Sequence, residues 1–150
     1  MTSLSSYGDP QRIEALYGDR LAPCYAERPQ NLDAMLRESV ARRGEACALE
    51  EGARQLSYRA LDSAVNRIAT GLQALGVQRG ERVALFMGNR LEYTVLLFGL
   101  WRLGAVAVPI GIRQSTQELN YMLNQCGAAA VITDASLASR LPARAALPAV

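Results

Sequence analysis

The sequence contains neither lysine nor histidine, and all 16 of its basic residues are arginine. Without imidazole, this stretch of chain offers no histidine general acid or base and no histidine metal ligand. Without lysine, it excludes the phosphate-binding loop G-x-x-x-x-G-K-[ST] and every mechanism that needs a lysine amine. Residues 1–150 therefore contribute neither group to a reaction.

Cysteine is scarce and scattered. Cys24, Cys47 and Cys126 form no C-x-x-C pair, so neither a zinc site nor a disulfide framework is expected. Free thiols suit a reducing compartment, and residues 1–30 hold no apolar core of signal-peptide length. The most apolar stretch, Thr94–Leu100, is too short to cross a bilayer. We therefore expect a cytoplasmic protein without a transmembrane segment.

The charge is nearly balanced, with a formal net charge of +2 and arginines spread along the chain. No basic run forms a patch for a phosphate backbone, so nucleic acid is not expected as a partner. The length corresponds to about one domain, and the hydrophobic and charged fractions, 50% and 20%, are ordinary for a globular protein.

The first 30 residues carry glycine, proline and charge without sustained periodicity. Asp9 and Pro10 are a favourable start for a short helix that ends at Gly18, and the rest is predicted to be irregular. We therefore divide the chain into an N-terminal arm, residues 1–30, and a domain that begins at residue 31 and runs to residue 150.

A helix, a hairpin and a second helix are predicted to open the domain. The first helix is bounded by the cap Asn31 and by Gly44, and the second by the cap Ser57 and by Gly76. The predicted ranges are Leu32–Arg43, the strands Ala46–Glu50 and Arg54–Tyr58, and Tyr58–Leu75. The apolar faces of the two helices are predicted to comprise Leu32, Met35, Leu36 and Val40, and Leu61, Val65, Ile68, Leu72 and Leu75.

Strands and helices then alternate. The predicted order is strand Arg82–Met87, helix Leu91–Leu103, strand Val106–Ile110, helix Thr116–Gln125 capped by Ser115 or Thr116, and strand Ala129–Thr133. Short apolar strands joined through helices are parallel, with right-handed crossovers and with both faces covered. The predicted fold class is α/β, with three layers and a partly parallel sheet with crossover helices, preceded by a helix and a β-hairpin.

The turn after the first of these strands reads Met87-Gly88-Asn89-Arg90, which matches no phosphate-binding glycine motif. We interpret Asn89 as a helix cap, with a ligand role as the alternative. Phe98 and Trp101 are aromatic enough to suggest an acyl pocket, but a buried helix stripe explains them better. No pair of carboxylates can be assigned to one cleft from the sequence.

The stretch from Leu56 to Asp134 resembles the N-terminal region of AMP-forming acyl-CoA synthetases, which belong with luciferases and peptide-synthetase adenylation domains. Four pieces carry the resemblance in order: "SYRAL", "LGVQRGERVALFMGNRLEY", "LWRLGAVAVPI" and "RQSTQELNYMLNQCGAAAVITD". The sequence departs from the family at Gly111-Ile112, where Asn-Pro is frequent, and at Arg90, where serine is usual. Residues 31–55 fit more loosely, and residues 1–30 do not match.

The resemblance implies activation of a carboxylic or fatty acid. ATP and the acid give an acyl-adenylate and pyrophosphate, and the thiol of coenzyme A then takes the acyl group, with Mg²⁺ required. The family stabilises the phosphates with a Pro-Lys loop and a C-terminal lysine, and residues 1–150 contain no lysine. We therefore expect an incomplete N-terminal subdomain of an adenylate-forming enzyme that supplies scaffold, is inactive by itself and exposes apolar surface that promotes self-association.

One residue is assigned to a ligand by the resemblance. In some CoA ligases of the family an arginine in this turn lies near the phosphates of coenzyme A, and Arg113 occupies the matching position, five residues before Glu118. The planar guanidinium suits phosphate because it donates two hydrogen bonds at once. The alternatives are a solvated turn arginine and a salt bridge with Glu118.

Other functions stay open at this point. The chain is alternatively a non-catalytic truncated product or interaction module, part of a peptide-synthetase adenylation domain, or a stand-alone flavodoxin-like binding domain. The missing phosphate loop argues against the last of these.

Overall fold

The computed structural model describes residues 11–16 and 18–143. In chain order the elements are β1 (Gln11–Leu16), β2 (Arg20–Tyr25), α1 (Leu32–Arg43), β3 (Cys47–Glu51), β4 (Arg54–Ser57), α2 (Tyr58–Ala74), β5 (Arg82–Phe86), α3 (Leu91–Leu103), β6 (Val106–Pro109), α4 (Thr116–Cys126), β7 (Ala130–Thr133) and the 3-10 helix Ala135–Arg140. From residue 32 to residue 133, every bound lies within one residue of its prediction.

The prediction from the sequence fails in the N-terminal arm. The helix predicted from Asp9-Pro10 to Gly18 is wrong, because Gln11–Leu16 pairs antiparallel with Arg20–Tyr25. Gly18 adopts a φ of 87° in the connecting turn, and Arg12 and Glu14 alternate with apolar residues at the period of a strand. Asp9 and Pro10 lie outside the described residues.

The caps of the first two long helices are confirmed. Asn31 Oδ1 accepts a hydrogen bond from Ala34 N at 2.8 Å, and Ser57 Oγ accepts one from Ala60 N at 3.2 Å. Gly76 has the left-handed φ of 93° that ends α2. These caps satisfy amide groups that the first turn of a helix cannot pair internally, and so fix where α1 and α2 begin.

Three details of these helices differ from the prediction. Gly44 follows α1 with a φ of −50°, so it does not end the helix by the left-handed conformation. Leu36 is buried as predicted, but Leu32 and Met35 are about 40% exposed, which narrows the apolar face of α1. Leu75 follows the last residue of α2 and is 83% exposed, so it is not part of the apolar face of that helix.

β5, β6 and β7 form a parallel sheet with the order β6–β5–β7, so both flanks of β5 are paired. Alternate residues of β5 face opposite layers. Val83 and Leu85 pack with Leu96 and Leu100 of α3, and Ala84 and Phe86 pack on the other face with residues of α4, namely Leu119 and Leu123. Since β6 and β7 lie on opposite sides of β5 and their helices on opposite faces, the two crossovers have the same hand.

The predicted three-layer α/β architecture is therefore confirmed. Helix α3 lies between the sheet and a third core cluster that includes Leu36 of α1 and Leu61 and Val65 of α2. Every residue of α3 is buried or half-buried, as its almost wholly apolar sequence predicts. No helix in the described part of the chain is long and apolar enough to cross a membrane.

The largely buried side chain of Arg102 joins the three helices on this side of the sheet. The Arg102 side chain, only 7% exposed, pairs with Asp33 Oδ1 of α1 at 2.6 Å and with Asp62 Oδ1 of α2 at 2.7 Å. It also donates to Asn66 Oδ1 at 2.7 Å and to the Asp62 carbonyl at 3.2 Å. The guanidinium therefore has a partner on each neighbouring helix.

A pair of helical glycines gives a matched test of how closely α2 and α3 pack. A Cβ on Gly99 would overlap Ile68 Cγ2 and lie 3.0 Å from Ile68 Cβ, whereas a Cβ on Gly71 would meet no atom of the described residues within 4 Å. We expect Gly99→Ala to lower the free energy of unfolding by about 1–2 kcal/mol, because overpacking outweighs the gain in helix propensity. Gly71→Ala should raise it by about 0.5–1 kcal/mol.

Urea unfolding of both variants measures these changes. The double variant Gly99→Ala with Ile68→Ala should recover the overpacking part of the loss, because it removes the atom that the new methyl group strikes. Equal stabilisation by the two glycine replacements would contradict the close approach of α2 and α3.

Candidate functional site

A cleft of about 490 Å³ opens where the carboxyl ends of β5 and β6 meet. Ligands of open α/β sheets bind at this edge, because loops leave the strands there while the strands themselves fix the loop ends. The cleft is lined by Met87, Gly88, Asn89, Tyr93, Pro109, Ile110, Gly111, Ile112, Arg113 and Gln114.

The wall after β5 is fixed by an aspartate from the neighbouring strand. Gly88 N donates to Asp134 Oδ2 at 2.9 Å, and Arg90 Nη1 donates to Asp134 Oδ1 at 2.7 Å. The Gly88 amide first, and the Arg90 guanidinium second, hold the pKa of Asp134 below its usual range. Asp134 is therefore an ionised carboxylate that ties the ends of β5 and β7 together.

The prediction that Asn89 caps α3 is wrong. Arg90 occupies the cap position, with an extended φ of −155°, and its side chain makes no capping bond within the described residues. Arg90 is held instead by Asp134, which accounts for arginine at this position. Asn89 lines the cleft, so the alternative of a ligand role is the one that its position favours.

The opposite wall is the turn between β6 and α4, which carries Arg113. Gln114 N donates to the carbonyl of Gly111 at 3.1 Å and closes the turn. Arg113 is exposed and makes no hydrogen bond or ion pair within the described residues. Glu118 is engaged with Ser115 in a capping box, so the alternative of an Arg113–Glu118 salt bridge is wrong. The Ser115 amide and hydroxyl keep the pKa of Glu118 low.

A second arginine, Arg140, holds this turn from behind. Its Nη1 donates to the carbonyl of Ile112 at 2.6 Å, and its Nη2 donates to the carbonyl of Gln114. Arg140 ends the 3-10 helix that was not predicted from the sequence. An isolated arginine carries no sequence signal for such a contact. Asp134 could have been found, because it follows a parallel strand and the carboxyl ends of such strands meet at one edge.

The other candidate residues from the sequence do not line the cleft. Phe98 packs against the cluster of α1 and α2, and Trp101 contacts it edge-on with ring centroids 5.1 Å apart. Cys24, Cys47 and Cys126 are unpaired within residues 11–16 and 18–143. In that part of the chain no three acidic or thiol side chains are grouped to hold a metal ion, so none of them is assigned to Mg²⁺.

The chain is a three-layer α/β domain with an open cleft at the carboxyl edge of its parallel strands, the edge at which domains of this class bind ligands. The sequence model of the AMP-binding enzyme family matches residues 36–150, and the chain belongs to that family. Membership of this family displaces the stand-alone flavodoxin-like domain considered from the sequence.

Known relatives agree with this assignment. The chain is 41% identical over 78 residues to the long-chain-fatty-acid–CoA ligase FadD13 of Mycobacterium tuberculosis, which covers 52% of this chain and 16% of the relative. It is 34% identical over 111 residues to the phosphinothricin tripeptide synthetase PhsC of Streptomyces viridochromogenes, covering 74% and 10%. The crystal structure of the N-terminal domain of FACL13 from Mycobacterium tuberculosis superposes with a TM-score of 0.73 at 34% identity, covering 79% of this chain and 32% of that one.

The chain covers only a small part of each of these curated relatives. The chain spans 10–16% of the length of the two curated relatives.

Proposed function

We propose that the protein is the N-terminal part of an ATP-dependent acyl-CoA synthetase. The reaction joins a carboxylic or fatty acid to coenzyme A, with ATP converted to AMP and pyrophosphate. The supporting observation is the cleft at the carboxyl edge of β5 and β6, with Arg113, which has no ion-pair partner among the described residues, on its wall. Similarity to a long-chain-fatty-acid–CoA ligase supports this choice of reaction within the family.

In this proposal residues 31–150 are the first part of the adenylate-forming domain, and residues 1–30 are an arm ahead of it. ATP and Mg²⁺ are bound mainly by residues outside this stretch, since residues 1–150 supply no lysine for the phosphates. Residues 1–150 alone are therefore inactive. A cytoplasmic location and self-association through the apolar surface that an isolated chain exposes belong to the same proposal.

Arg113 is proposed to bind a phosphate of coenzyme A. Its side chain is exposed at the cleft and has no partner among the described residues, so no existing ion pair has to break when an anion arrives. An arginine fork offers a phosphate two parallel hydrogen bonds. The chain offers the same chemistry to a free anion, and the comparison of acceptors below separates the two.

We expect Arg113→Ala, in the protein made from the complete reading frame, to raise the KM for coenzyme A about 10- to 100-fold, the loss of one charged hydrogen-bonding group. The KM for ATP should stay within about twofold, because the phosphates of ATP are held elsewhere. Steady-state kinetics with each substrate varied in turn measures both constants.

Arg42→Ala is the matched control, because Arg42 is an exposed arginine that does not line the cleft. It should leave both constants unchanged. A KM for coenzyme A that is unaltered by Arg113→Ala would remove the assignment.

A second candidate is a peptide-synthetase adenylation domain, which the similarity to PhsC favours. A carrier protein and coenzyme A present the same pantetheine thiol, but only coenzyme A brings a phosphorylated adenosine. If coenzyme A outperforms pantetheine as acceptor and Arg113→Ala abolishes the difference, the acceptor is free coenzyme A. Transfer to a carrier protein alone would favour the second candidate.

A further inference from the structure

Arg140 binds the backbone of the cleft wall on both sides of Arg113. Its two terminal nitrogens donate to the carbonyl oxygens of Ile112 and Gln114, the residues immediately before and after Arg113. The backbone of Arg113 is thus fixed at two points by one rigid planar group. A single guanidinium sets both carbonyls in one plane, which a flexible ammonium group cannot do.

The Arg140 side chain also contacts the hydrophobic core. The Arg140 guanidinium carbon lies 5.5 Å from the ring centroid of Phe86, the fully buried last residue of β5. The carbonyl of Arg140 accepts a hydrogen bond from Thr116 Oγ1 at 3.0 Å, at the start of α4. Movement of the turn therefore requires displacement of Arg140 from a packed aromatic ring and from α4.

In the turn, the Arg140 guanidinium donates its hydrogen bonds to neutral groups. Its acceptors in the turn are neutral carbonyl oxygens, and no carboxylate pairs with it in the part of the chain that the structure describes. Among the described residues, no acidic side chain therefore competes with the two carbonyl oxygens of the turn for the guanidinium.

We propose that Arg140 is a positioning residue that holds the 111–114 turn in the form in which Arg113 receives the phosphate of coenzyme A. The inference rests on the proposed function of Arg113. Arg140 acts through the turn and makes no contact with the ligand.

The test is the KM for coenzyme A in Arg140→Met and Arg140→Lys, made in the protein from the complete reading frame. Arg140→Met should raise this KM about tenfold and leave kcat and the KM for ATP within about twofold, because a misplaced binding group weakens binding of its own ligand. Arg140→Lys should resemble Arg140→Met, since lysine keeps the charge but loses the fork. A wild-type KM in Arg140→Lys would overturn positioning in favour of charge alone.

The chain provides a matched control at the other end of α4. Arg82 also spans two carbonyls, donating to Cys126 O and to Gly127 O, each at 2.8 Å. Arg82→Met therefore loses the same kind of bonds at a turn that does not line the cleft. It should leave the KM for coenzyme A unchanged, and an equal rise in Arg82→Met would show that Arg140 acts through general stability.

Two further measurements separate failure of this inference from failure of the proposed function. In the double variant Arg113→Ala with Arg140→Met, the KM for coenzyme A should equal that of Arg113→Ala alone, and multiplying effects would overturn action through Arg113. Amide exchange at Gln114, whose N–H closes the turn, should be faster in Arg140→Met and unchanged in Arg113→Ala.

If Arg113→Ala leaves the KM unchanged while exchange at Gln114 is faster in Arg140→Met, the phosphate assignment falls and the hold on the turn stands. Exchange at the wild-type rate in Arg140→Met overturns the hold itself.

Discussion

Replacement of Arg102 by methionine is expected to lower the free energy of unfolding by about 3–5 kcal/mol, the cost of breaking a buried ion pair by removing one partner. Arg102 is 7% exposed and satisfies carboxylates from two other helices, Asp33 at 17% and Asp62 at 28% exposure. Without the guanidinium, Asp62 loses its ion pair with Arg102 and Asp33 keeps only its ion pair with Arg37. Urea unfolding at neutral pH measures the loss.

The control is Arg67→Met, because Arg67 is exposed on α2. It should change the free energy of unfolding by no more than about 0.5 kcal/mol. Arg102→Lys should fall between the two, since one ammonium cannot reach the acceptors that the guanidinium joins. A loss in Arg102→Met as small as that in Arg67→Met would contradict the role of Arg102 in joining the helices.

Acid should erase part of the difference between the wild type and Arg102→Met. Burial raises the pKa of Asp33, but hydrogen bonds from Arg37 and Arg102 outweigh burial and the net pKa is lowered from 3.8. A lowered carboxyl pKa contributes stability that is complete above 3.8 and is lost as the pH falls below it. The two unfolding free energies should therefore converge at acid pH.

The second large effect is expected at the central strand. Leu85→Ala should lower the free energy of unfolding by about 2–5 kcal/mol, the range for a leucine deleted from a packed core. Leu85 is fully buried in β5, which is paired on both sides and covered on this face by α3. The neighbours cannot collapse into the space, because two are backbone-paired strands.

Val106→Ala is the control for Leu85→Ala. Val106 lies on β6 and is 47% exposed, so removal of its methyl groups should cost less than about 1 kcal/mol. A cost for Leu85→Ala below that of Val106→Ala would contradict the placement of β5 in the middle of the sheet. The m-value should be unchanged in both variants if only the native core is affected.

The sequence predicts the elements from residue 32 to residue 133 because each boundary carries its own chemistry. Asn31, Ser57 and Ser115 cap helices α1, α2 and α4, and Gly76 follows α2 in the left-handed conformation. These signals are local, so they can be recognised without knowledge of the tertiary fold.

The hairpin at residues 11–25 was missed for the same reason. An Asp-Pro start and a glycine stop are also local signals, and they favour a helix over residues that pair as strands. Pairing of β1 with β2 depends on a partner strand across the turn at Gly18, which a helix-based interpretation does not consider.

The candidate site likewise contains residues whose position the sequence predicts and residues whose role it does not predict. The position of Arg113 in a turn between a strand and a helix follows from the predicted elements. The roles of Arg140 and Arg102 do not, because each depends on groups 26–69 residues away in the chain. Long-range contacts of single charged residues leave no periodic trace in a sequence.

The forks of Arg82 and Arg140 both end on main-chain oxygen atoms, which every amino acid possesses. Exchange of the side chains at Ile112 and Gln114 therefore leaves the grip of Arg140 intact. The lining of the cleft can diversify, by evolution or by saturation mutagenesis, while the scaffold beneath it keeps one shape.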